Sequence, residues 1–150
     1  MLTMKITLCG SMKFLDKMET VKRELELMSH KVDIPVDEIK DDKGEPVNCD
    51  DFAKMISKAK IGSEWVWEKK KELMRDHFNM IKKSNAILVC NFNKGSERNY
   101  IGGSVLIEMA IAFDSGKKIF ILNKLPKCSY REEILAMRPV ILNKDLEQIK

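Results

Sequence analysis

One carboxylate stands in the middle of the most apolar segment of the chain. Residues 105–113 read VLIEMAIAF, so that eight of nine are apolar and the ninth is Glu108. Apolar residues at this density predict a helix that is buried on most sides. An ionised acid inside such a helix is costly unless a partner or solvent reaches it. Glu108 therefore either lines a cleft or has a specific partner, and it is the first candidate for a catalytic residue.

A second acid, Asp76, lies on a predicted helix over residues 64–83, at the edge of its apolar stripe. The spacing allows two interpretations. The acid points into a cleft, or it belongs to a salt-bridged surface with Arg75 or Lys83. The adjacent His77 is interpreted as a packed or half-exposed helix residue.

Two such acids in one cleft would have a specific chemistry. Cleavage of a glycosidic bond with retention needs one carboxylate as nucleophile and a second group that manages protons or sugar hydroxyls. An adjacent carboxylate also stabilises a transition state that resembles an oxocarbenium ion. A partly desolvated glutamate stays ionised only where donors hold it so, and Tyr100 is a candidate donor for Glu108.

Two glycine turns that precede helices are candidate binding segments. Gly10-Ser11 follows the first predicted strand, with Lys13 close by. Backbone N–H groups, the helix dipole and a hydroxyl favour a phosphate there, and the alternative is ordinary turn chemistry. Gly102, Gly103 and Ser104 form a second turn, which either holds a phosphate or sugar or lets its helix pack closely on a strand. Neither turn has the G-x-G-x-x-G or Walker pattern, so a dinucleotide or ATPase site is not supported.

Composition narrows the class of protein. The 150 residues are 44% hydrophobic and 33% charged, which predicts one globular domain over residues 1–150. The net charge of +4 is spread among acids, and the densest basic run, Lys69 to Lys71, is interpreted as the solvated face of a helix; no nucleic acid polymer is expected as a partner.

The cysteines and the apolar runs bear on location and cofactors. The four cysteines are dispersed, and there is neither a secretory signal nor an apolar run of membrane-spanning length. These features predict a cytoplasmic protein with thiols rather than disulfides and no membrane partner. Cys9 and Cys90 fall in predicted strands as small buried hydrophobes. No metal site and no cofactor are expected.

The periodicity of apolar residues predicts alternating strands and helices. Strands are predicted at residues 5–9, 31–36, 86–92, 118–123 and 140–142. Helices are predicted at residues 14–29, from Asp50 or Asp51 to about 60, at 64–83, from Gly102 or Gly103 to near Gly116, at 130–137 and at 145–149. The charged residues 37–50 are predicted as an exposed loop. Together these elements predict an α/β fold, a single-domain flavodoxin-like or Rossmann-like three-layer sandwich with a five-stranded, mostly parallel sheet.

In such a sheet, ligands bind at the carboxyl ends of the strands. The loops that follow the first four predicted strands should therefore surround one cleft. Asn91, at the end of the third strand, is a candidate binding residue for this reason. Glu108 lies about one turn into the helix that leaves the loop after that strand, which places it near the cleft.

Four segments, ITLCGSMKF, RDHFNMIKKSNAILVCNF, NYIGGSVLIEMAIAF and GKKIFILN, resemble the nucleoside 2-deoxyribosyltransferase superfamily in order and spacing. That superfamily includes nucleoside deoxyribosyltransferases and deoxynucleoside 5′-monophosphate N-glycosidases. The resemblance covers residues 5–142. It implies a nucleoside or nucleotide as the small-molecule substrate, with Glu108 as the nucleophile at the anomeric carbon and Asp76 in the active site.

The resemblance also implies roles for the turns. Gly10 and Ser11 match the turn that lies against the sugar or 5′-phosphate, and Ser104 is a candidate sugar or phosphate ligand. Members of the superfamily build their sites at subunit interfaces, which implies a homodimer or a higher homo-oligomer.

The chain also departs from the pattern of the transferases. They often carry a further Asp where this chain has Gly102, and an Asn from a neighbouring subunit where it has Arg138-Pro139. Three functions therefore stay open. The first is cleavage of an N-glycosidic bond, by hydrolysis or base transfer. The second is a non-catalytic module that binds or senses a nucleotide. The third is an assembly domain in which Glu108 pairs with a lysine or arginine.

Overall fold

A parallel sheet of five strands runs through the protein, in a computed structural model that describes residues 2–35 and 38–150. In spatial order the strands are β2 (Lys31–Asp33), β1 (Lys5–Cys9), β5 (Ala86–Val89), β6 (Lys118–Ile121) and β7 (Val140–Ile141). Every neighbouring pair is parallel. Taken as the first to fifth strands of this sheet, they follow the order 2-1-3-4-5, which is flavodoxin-like. The predicted fold class is confirmed.

Helices cover both faces of the sheet. They are α1 (Leu15–Leu27), α2 (Cys49–Lys58), α3 (Glu64–Lys82), α4 (Gly103–Asp114) and α5 (Arg131–Ala136), with 3-10 turns at Met12–Phe14 and Leu146–Gln148. Helix α1 packs on one face together with the C-terminal residues, and α3, α4 and α5 pack on the other. The predicted three-layer sandwich follows from this arrangement. Among the residues described here, no helix has the length and hydropathy of a membrane span.

The strand β5 shows how the sequence produces the two cores. All four of its residues are buried. Ala86 and Leu88 point to the α1 side, whereas Ile87 and Val89 point to the side of α3 and α4. Successive side chains of a strand face opposite ways, so an uninterrupted apolar run suits a strand with a hydrophobic layer on each face.

The prediction of an exposed loop over residues 37–50 is wrong for residues 38–48, and residue 37 lies outside the described residues. A hairpin forms there from β3 (Glu38–Lys40) and β4 (Pro46–Asn48). Ile39 is paired with Val47, and both are buried against Phe52 of α2 and Val66 of α3. One buried apolar residue in each short strand is enough to keep the hairpin packed because α2 and α3 supply the remaining contacts.

The turn of this hairpin has the chemistry that its sequence provides. The Asp41 carboxylate accepts hydrogen bonds from the backbone N–H groups of Lys43 at 2.8 Å and Glu45 at 2.9 Å. Gly44 has a φ of +80°, a left-handed conformation that glycine adopts without strain. An aspartate that bonds the backbone two residues on is a common turn former.

Other element boundaries also differ from the predictions. β2 ends at Asp33, earlier than predicted. α2 is capped by Asn48, whose side chain accepts from the N–H of Asp51 at 2.8 Å, rather than by Asp50 or Asp51. The predicted terminal helix is a single 3-10 turn that Asp145 caps. α4 ends as predicted, with Gly116 at a φ of +68° just beyond it.

Candidate active site

A pocket of about 250 Å³ lies at the carboxyl end of β1, between α3, the start of α4 and the unit formed by the hairpin and α2. Its volume is just below the ~300–1,000 Å³ range typical of ligand pockets. Most of the predicted site residues line it: Gly10, Ser11, Asp76, Tyr100, Gly102, Gly103, Ser104 and Glu108. Predicted site residues from three separate segments therefore meet where the rule for parallel sheets places a ligand.

Glu108 lies on α4 with a side chain that is 12% exposed. Its Oε1 is 2.9 Å from Nδ1 of His77 on α3. Its Oε2 is buried and has no hydrogen-bond partner among the residues that the structure describes. Glu108 thus both lines the pocket and has a specific partner. The two alternatives that the sequence left open for this acid are therefore both true. A buried polar oxygen without a donor is uncommon in native proteins and calls for an explanation, such as a catalytic role.

The two ring nitrogens of His77 have different partners. Nε2 is 3.1 Å from the backbone carbonyl of Leu8 in β1. A carbonyl only accepts, so Nε2 carries a proton and donates it. The contact between Nδ1 and Oε1 then holds one further proton. The pair is either an imidazolium with a carboxylate or a neutral imidazole with a carboxylic acid, and both states have zero net charge.

Cys9 completes a buried group of potential metal ligands with His77 and Glu108. Its Sγ is 3.8 Å from Nε2 of His77, whereas Glu108 faces Nδ1. Burial, and next the negative charge of Glu108, raise the pKa of the Cys9 thiol well above its ordinary value. A protonated thiol is a poor metal ligand. The contacts fit a hydrogen-bonded chain better than a metal centre.

Asp76 lies on the exposed edge of α3 and lines the pocket. Within residues 2–35 and 38–150 it forms no ion pair, so the salt-bridged interpretation with Arg75 or Lys83 is not what the structure shows. The structure brings Asp76 and Glu108 to the same pocket. Asp76 is the more solvated of the two acids, which suits it to exchange protons with water.

Lys70 adds a positive charge to the pocket, although the sequence predicted that this lysine lies on the solvated face of a helix. It lines the pocket, and its Nζ donates to Oγ of Ser104 at 3.3 Å. Burial lowers the pKa of Lys70, and the charge of Glu108 acts in the opposite direction. Its neighbours in the basic run do behave as predicted, since Lys69 and Lys71 form surface ion pairs with acids of the same helix.

The N-terminus of α4 lies beside this lysine. Gly102 is its capping residue, and a glycine has no side chain that could bond the N–H groups of the first turn. Unpaired N–H groups and the positive end of a helix dipole attract anions. Gly103, Ser104 and Lys70 therefore form a subsite suited to an anionic or strongly polar group.

Tyr100 lies over Gly102 and does not contact Glu108 with its hydroxyl. A Cβ at position 102 would collide with the Tyr100 ring, so this glycine makes room for an aromatic wall of the pocket. The Nζ of Lys94, which also lines the pocket, is 4.4 Å from the centre of the ring. The expectation that Tyr100 is the donor to Glu108 is wrong, because His77 occupies that position.

The first glycine turn is shaped by packing. A Cβ at Gly10 would approach Sδ of Met18 to 3.0 Å and the carbonyl of Cys90 to 3.2 Å. The Ser11 hydroxyl accepts from the N–H of Lys13 at 3.3 Å and caps the short turn that follows. Gly10 and Ser11 line the pocket, whereas the exposed Lys13 does not.

Asn91 is not brought to the pocket. Its amide group donates to the carbonyls of Asn123 at 3.3 Å and Lys124 at 2.9 Å, and its Oδ1 accepts from the N–H of Asn123 at 2.9 Å. Asn91 therefore fastens the chain after β5 to the chain after β6. It supports the edge of the sheet near the site without reaching a ligand.

Sequence reasoning missed His77, Lys70, Lys94 and the contact of Cys9 with the site. One signal was present. Lys70 and His77 are seven residues apart on α3, and Ser104 and Glu108 are four apart on α4, so each pair shares a helix face. The structure joins these faces through the contacts of Lys70 with Ser104 and of His77 with Glu108.

Comparisons with known proteins give two structural similarities. No family model matches the chain, and no curated protein matches it either. The fold resembles a 2-deoxyribosyltransferase from the psychrotolerant bacterium Bacillus psychrosaccharolyticus, at 13% identity and a TM-score of 0.49 over 78% of this chain and 70% of the other. It also resembles the CMP N-glycosidase BcmB from Clostridium botulinum, at 14% identity and a TM-score of 0.49 over 93% and 90%.

Identities of 13 and 14% and TM-scores of 0.49 leave the chemistry to be argued from the residues of the site. Those residues are two acids, one of them buried and paired with a histidine, beside a cationic subsite at a helix N-terminus.

Proposed function

We propose that this protein cleaves the N-glycosidic bond of a nucleoside or nucleoside 5′-monophosphate, with Glu108 as the nucleophile. The observation that carries the proposal is the state of Glu108. One oxygen of this buried carboxylate is held by His77, the other has no partner among the described residues, and the side chain lines a pocket. A carboxylate so arranged is suited to form a bond to an electrophilic carbon.

The reaction would take two steps. Glu108 forms a bond to C1′ as the bond from C1′ to the base nitrogen breaks, and the base leaves with the electron pair and takes a proton from solvent. The terminal torsion of a glutamate is soft, so a small rotation brings Oε2 to the sugar while His77 holds Oε1. Water or a second base then attacks C1′, and the Glu108 carboxylate is released.

The other residues of the pocket have roles in this scheme. Asp76 accepts the proton of the attacking water or holds a sugar hydroxyl. The subsite of Lys70, Ser104 and the start of α4 binds the polar or anionic end of the substrate. Tyr100 supplies a flat apolar surface next to it. No step requires a metal or redox cofactor.

A non-catalytic module that binds or senses a nucleotide is the alternative. The burial of Glu108 favours it, because a carboxylate that is only 12% exposed and paired with His77 is also stable as a binding group. In that case Glu108 would hydrogen-bond a ribose hydroxyl, and the ligand would leave unchanged. The third function open from the sequence, pairing of Glu108 with lysine or arginine, is not the contact observed.

A product assay tests the proposal. Ribonucleosides, deoxyribonucleosides and their 5′-monophosphates are incubated with the protein, with and without an acceptor base, and the products are separated by liquid chromatography. We expect free base from the wild type and a loss of ~10³-fold or more in Glu108→Gln. The exposed Glu97→Gln is the matched control. Equal turnover in Glu108→Gln and wild type would refute the mechanism.

The same panel separates the remaining alternatives. An exchanged nucleoside in the presence of acceptor base identifies transfer, whereas free base alone identifies hydrolysis. Silence across the panel, together with stoichiometric binding of an unchanged nucleotide by calorimetry, supports the binding module. The preferred substrate shows whether a 5′-phosphate is needed.

A further inference from the structure

The buried His77 connects three elements of the fold. It is 8% exposed, and from α3 it reaches the carbonyl of Leu8 in β1 and the carboxylate of Glu108 in α4. The ionisable groups around it are Cys9 from β1, Lys70 and Asp76 from its own helix, and Glu108 from α4. Among these, only Glu108 and the Cys9 thiol lie within hydrogen-bond range of the ring.

We propose that His77 is the positioning residue of the nucleophile, and that the proton it shares with Glu108 governs both half-reactions. The inference rests on the proposed function. Nε2 is committed to Leu8, so the ring is fixed with Nδ1 towards Oε1, and the mobile proton of the pair lies on this one contact. With that proton on Nδ1, Glu108 is a carboxylate and can attack.

The same proton favours release. When Glu108 forms the glycosyl ester, its negative charge disappears, and the imidazolium of His77 is left buried beside a neutral ester. A buried charge without its counter-charge is unfavourable. Breaking the ester bond restores the carboxylate and its ion pair with His77. The second step therefore regains the favourable charge interaction that the first step removed. In this scheme, His77 forms no covalent bond with the substrate and acts only through Glu108.

Two variants separate the contact of His77 with Glu108 from its contact with Leu8. In His77→Asn the amide nitrogen is as many bonds from Cα as Nδ1, so it can still donate to Glu108, but it cannot titrate. In His77→Gln the amide nitrogen corresponds to Nε2, so the contact with Leu8 is kept and the donor to Glu108 is lost. A purely structural role of the ring would make the two variants alike.

The expected kinetic results differ accordingly. We expect kcat to fall ~10- to 100-fold in His77→Gln, as for loss of a hydrogen bond to a charged group, and less in His77→Asn, with KM little changed in both. Equal losses of kcat in the two variants would overturn the proposal, as would a rise in KM with kcat unchanged.

A spectroscopic experiment keeps this inference separate from the proposed activity. In ¹⁵N-labelled protein, Nε2 of His77 should have the signal of a nitrogen that carries a proton, and the signal of Nδ1 should change on Glu108→Gln. His30 is an internal control, because its Nδ1 accepts from the N–H of Met4 at 3.1 Å and its signals should not move. Identical His77 spectra in wild type and Glu108→Gln would refute the shared proton, even if the wild type is an active enzyme. A change in the Nδ1 signal would support the shared proton, even if no activity is found.

Discussion

Lys70 brings a positive charge to a place where burial disfavours it. The negative charge of Glu108 partly offsets the effect of burial on the pKa of Lys70. Among the described residues, its ammonium group hydrogen-bonds only the hydroxyl of Ser104. A lysine with a lowered pKa becomes neutral at a lower pH than an ordinary lysine does. An anion bound beside it would restore the charged form, so the residue is suited to recognise a phosphate.

Replacing Lys70 by Met should therefore act on the substrate's charge. We expect KM for a nucleoside 5′-monophosphate to rise ~10-fold or more, with a much smaller change for the nucleoside. In the wild type, affinity for the monophosphate should weaken as pH rises, because Lys70 loses its proton. Steady-state kinetics on both substrates provide the measurement, and Lys71→Met, in the same basic run, is the control. A similar rise in KM for both substrates would exclude a phosphate contact.

Two adjacent glycines offer a matched pair of substitutions. A Cβ at Gly102 would collide with the ring of Tyr100, whereas a Cβ at Gly103 meets nothing within 4 Å. We expect Gly102→Ala to displace Tyr100 and to weaken substrate binding several-fold, measured by calorimetry. Gly103→Ala should fold normally, because alanine is accepted at the first position of a helix, and Gly62→Ala, which lies outside the pocket and meets nothing within 4 Å, should bind normally. Equal affinities in Gly102→Ala and Gly62→Ala would show that Tyr100 does not form a wall of the substrate site.

At the scale of elements, the strongly patterned segments were predictable and the hairpin was not. β1, β5 and β6 are short apolar runs between turn residues, and the apolar spacing of α1 and α3 is helical, so local sequence determines them. The hairpin has a single buried side chain in each strand, Ile39 and Val47. Its stability comes from α2 and α3, which a local pattern cannot reveal.

This dependence on tertiary contacts makes the hairpin the weakest part of the pocket wall. Ile39 is buried in the small core with Phe52 and also lines the pocket. We expect Ile39→Ala to speed hydrogen exchange of the amides in residues 38–48 and to leave those of β1 and β5 unchanged, because a small element can open by itself. Ile61→Ala, at a side chain that is 97% exposed, is the control. Faster exchange throughout the sheet would mean that the hairpin is part of the global folding unit.

Asn91 connects the ends of two strands, and its removal should cost stability. Asn91→Ala leaves the N–H of Asn123 and two carbonyls without their partner. We expect a loss of about 2–3 kcal/mol in the free energy of unfolding, measured in urea. The exposed Asn93→Ala, which removes one loop hydrogen bond, should cost much less. Wild-type stability with a selective loss of substrate affinity would instead support the original prediction of a binding role.

At the scale of the whole molecule, α3 and α4 leave large apolar side chains on the surface. Trp67 of α3 is 37% exposed, and Ile107 and Phe113 of α4 are 44% and 55% exposed. Contiguous exposed apolar patches are typical of association surfaces, whereas single exposed apolar residues are common on monomers. The superfamily resemblance implies a homo-oligomer, and we predict that Ile107 of α4 lies in its interface.

Light scattering after gel filtration tests this association. We expect a homodimer or a larger even-numbered assembly for the wild type, and monomers for Ile107→Glu, because a buried unpaired charge opposes the interface. Leu27→Glu, at a side chain that is 87% exposed at the end of α1, should leave the mass unchanged. A monomeric wild type at micromolar concentration would refute the proposal.

Much of the candidate site followed from two local features, an acid in an apolar helix and glycines at helix starts. The partners of those residues did not follow. Whether His77 reaches Glu108, and Lys70 reaches Ser104, depends on how α3 lies along α4. That register results from packing on Ile81, Val105 and Met109 across the whole layer, and no spacing within one helix encodes it.

The support that β1 gives to His77 comes from the backbone carbonyl of Leu8 rather than from a side chain. Any residue that keeps the strand in place presents the same carbonyl. Over evolutionary time, position 8 can therefore drift among apolar residues without disturbing the histidine. The supporting role of β1 is therefore not visible as a characteristic residue in the sequence. Only His77 and Glu108 would have to change together.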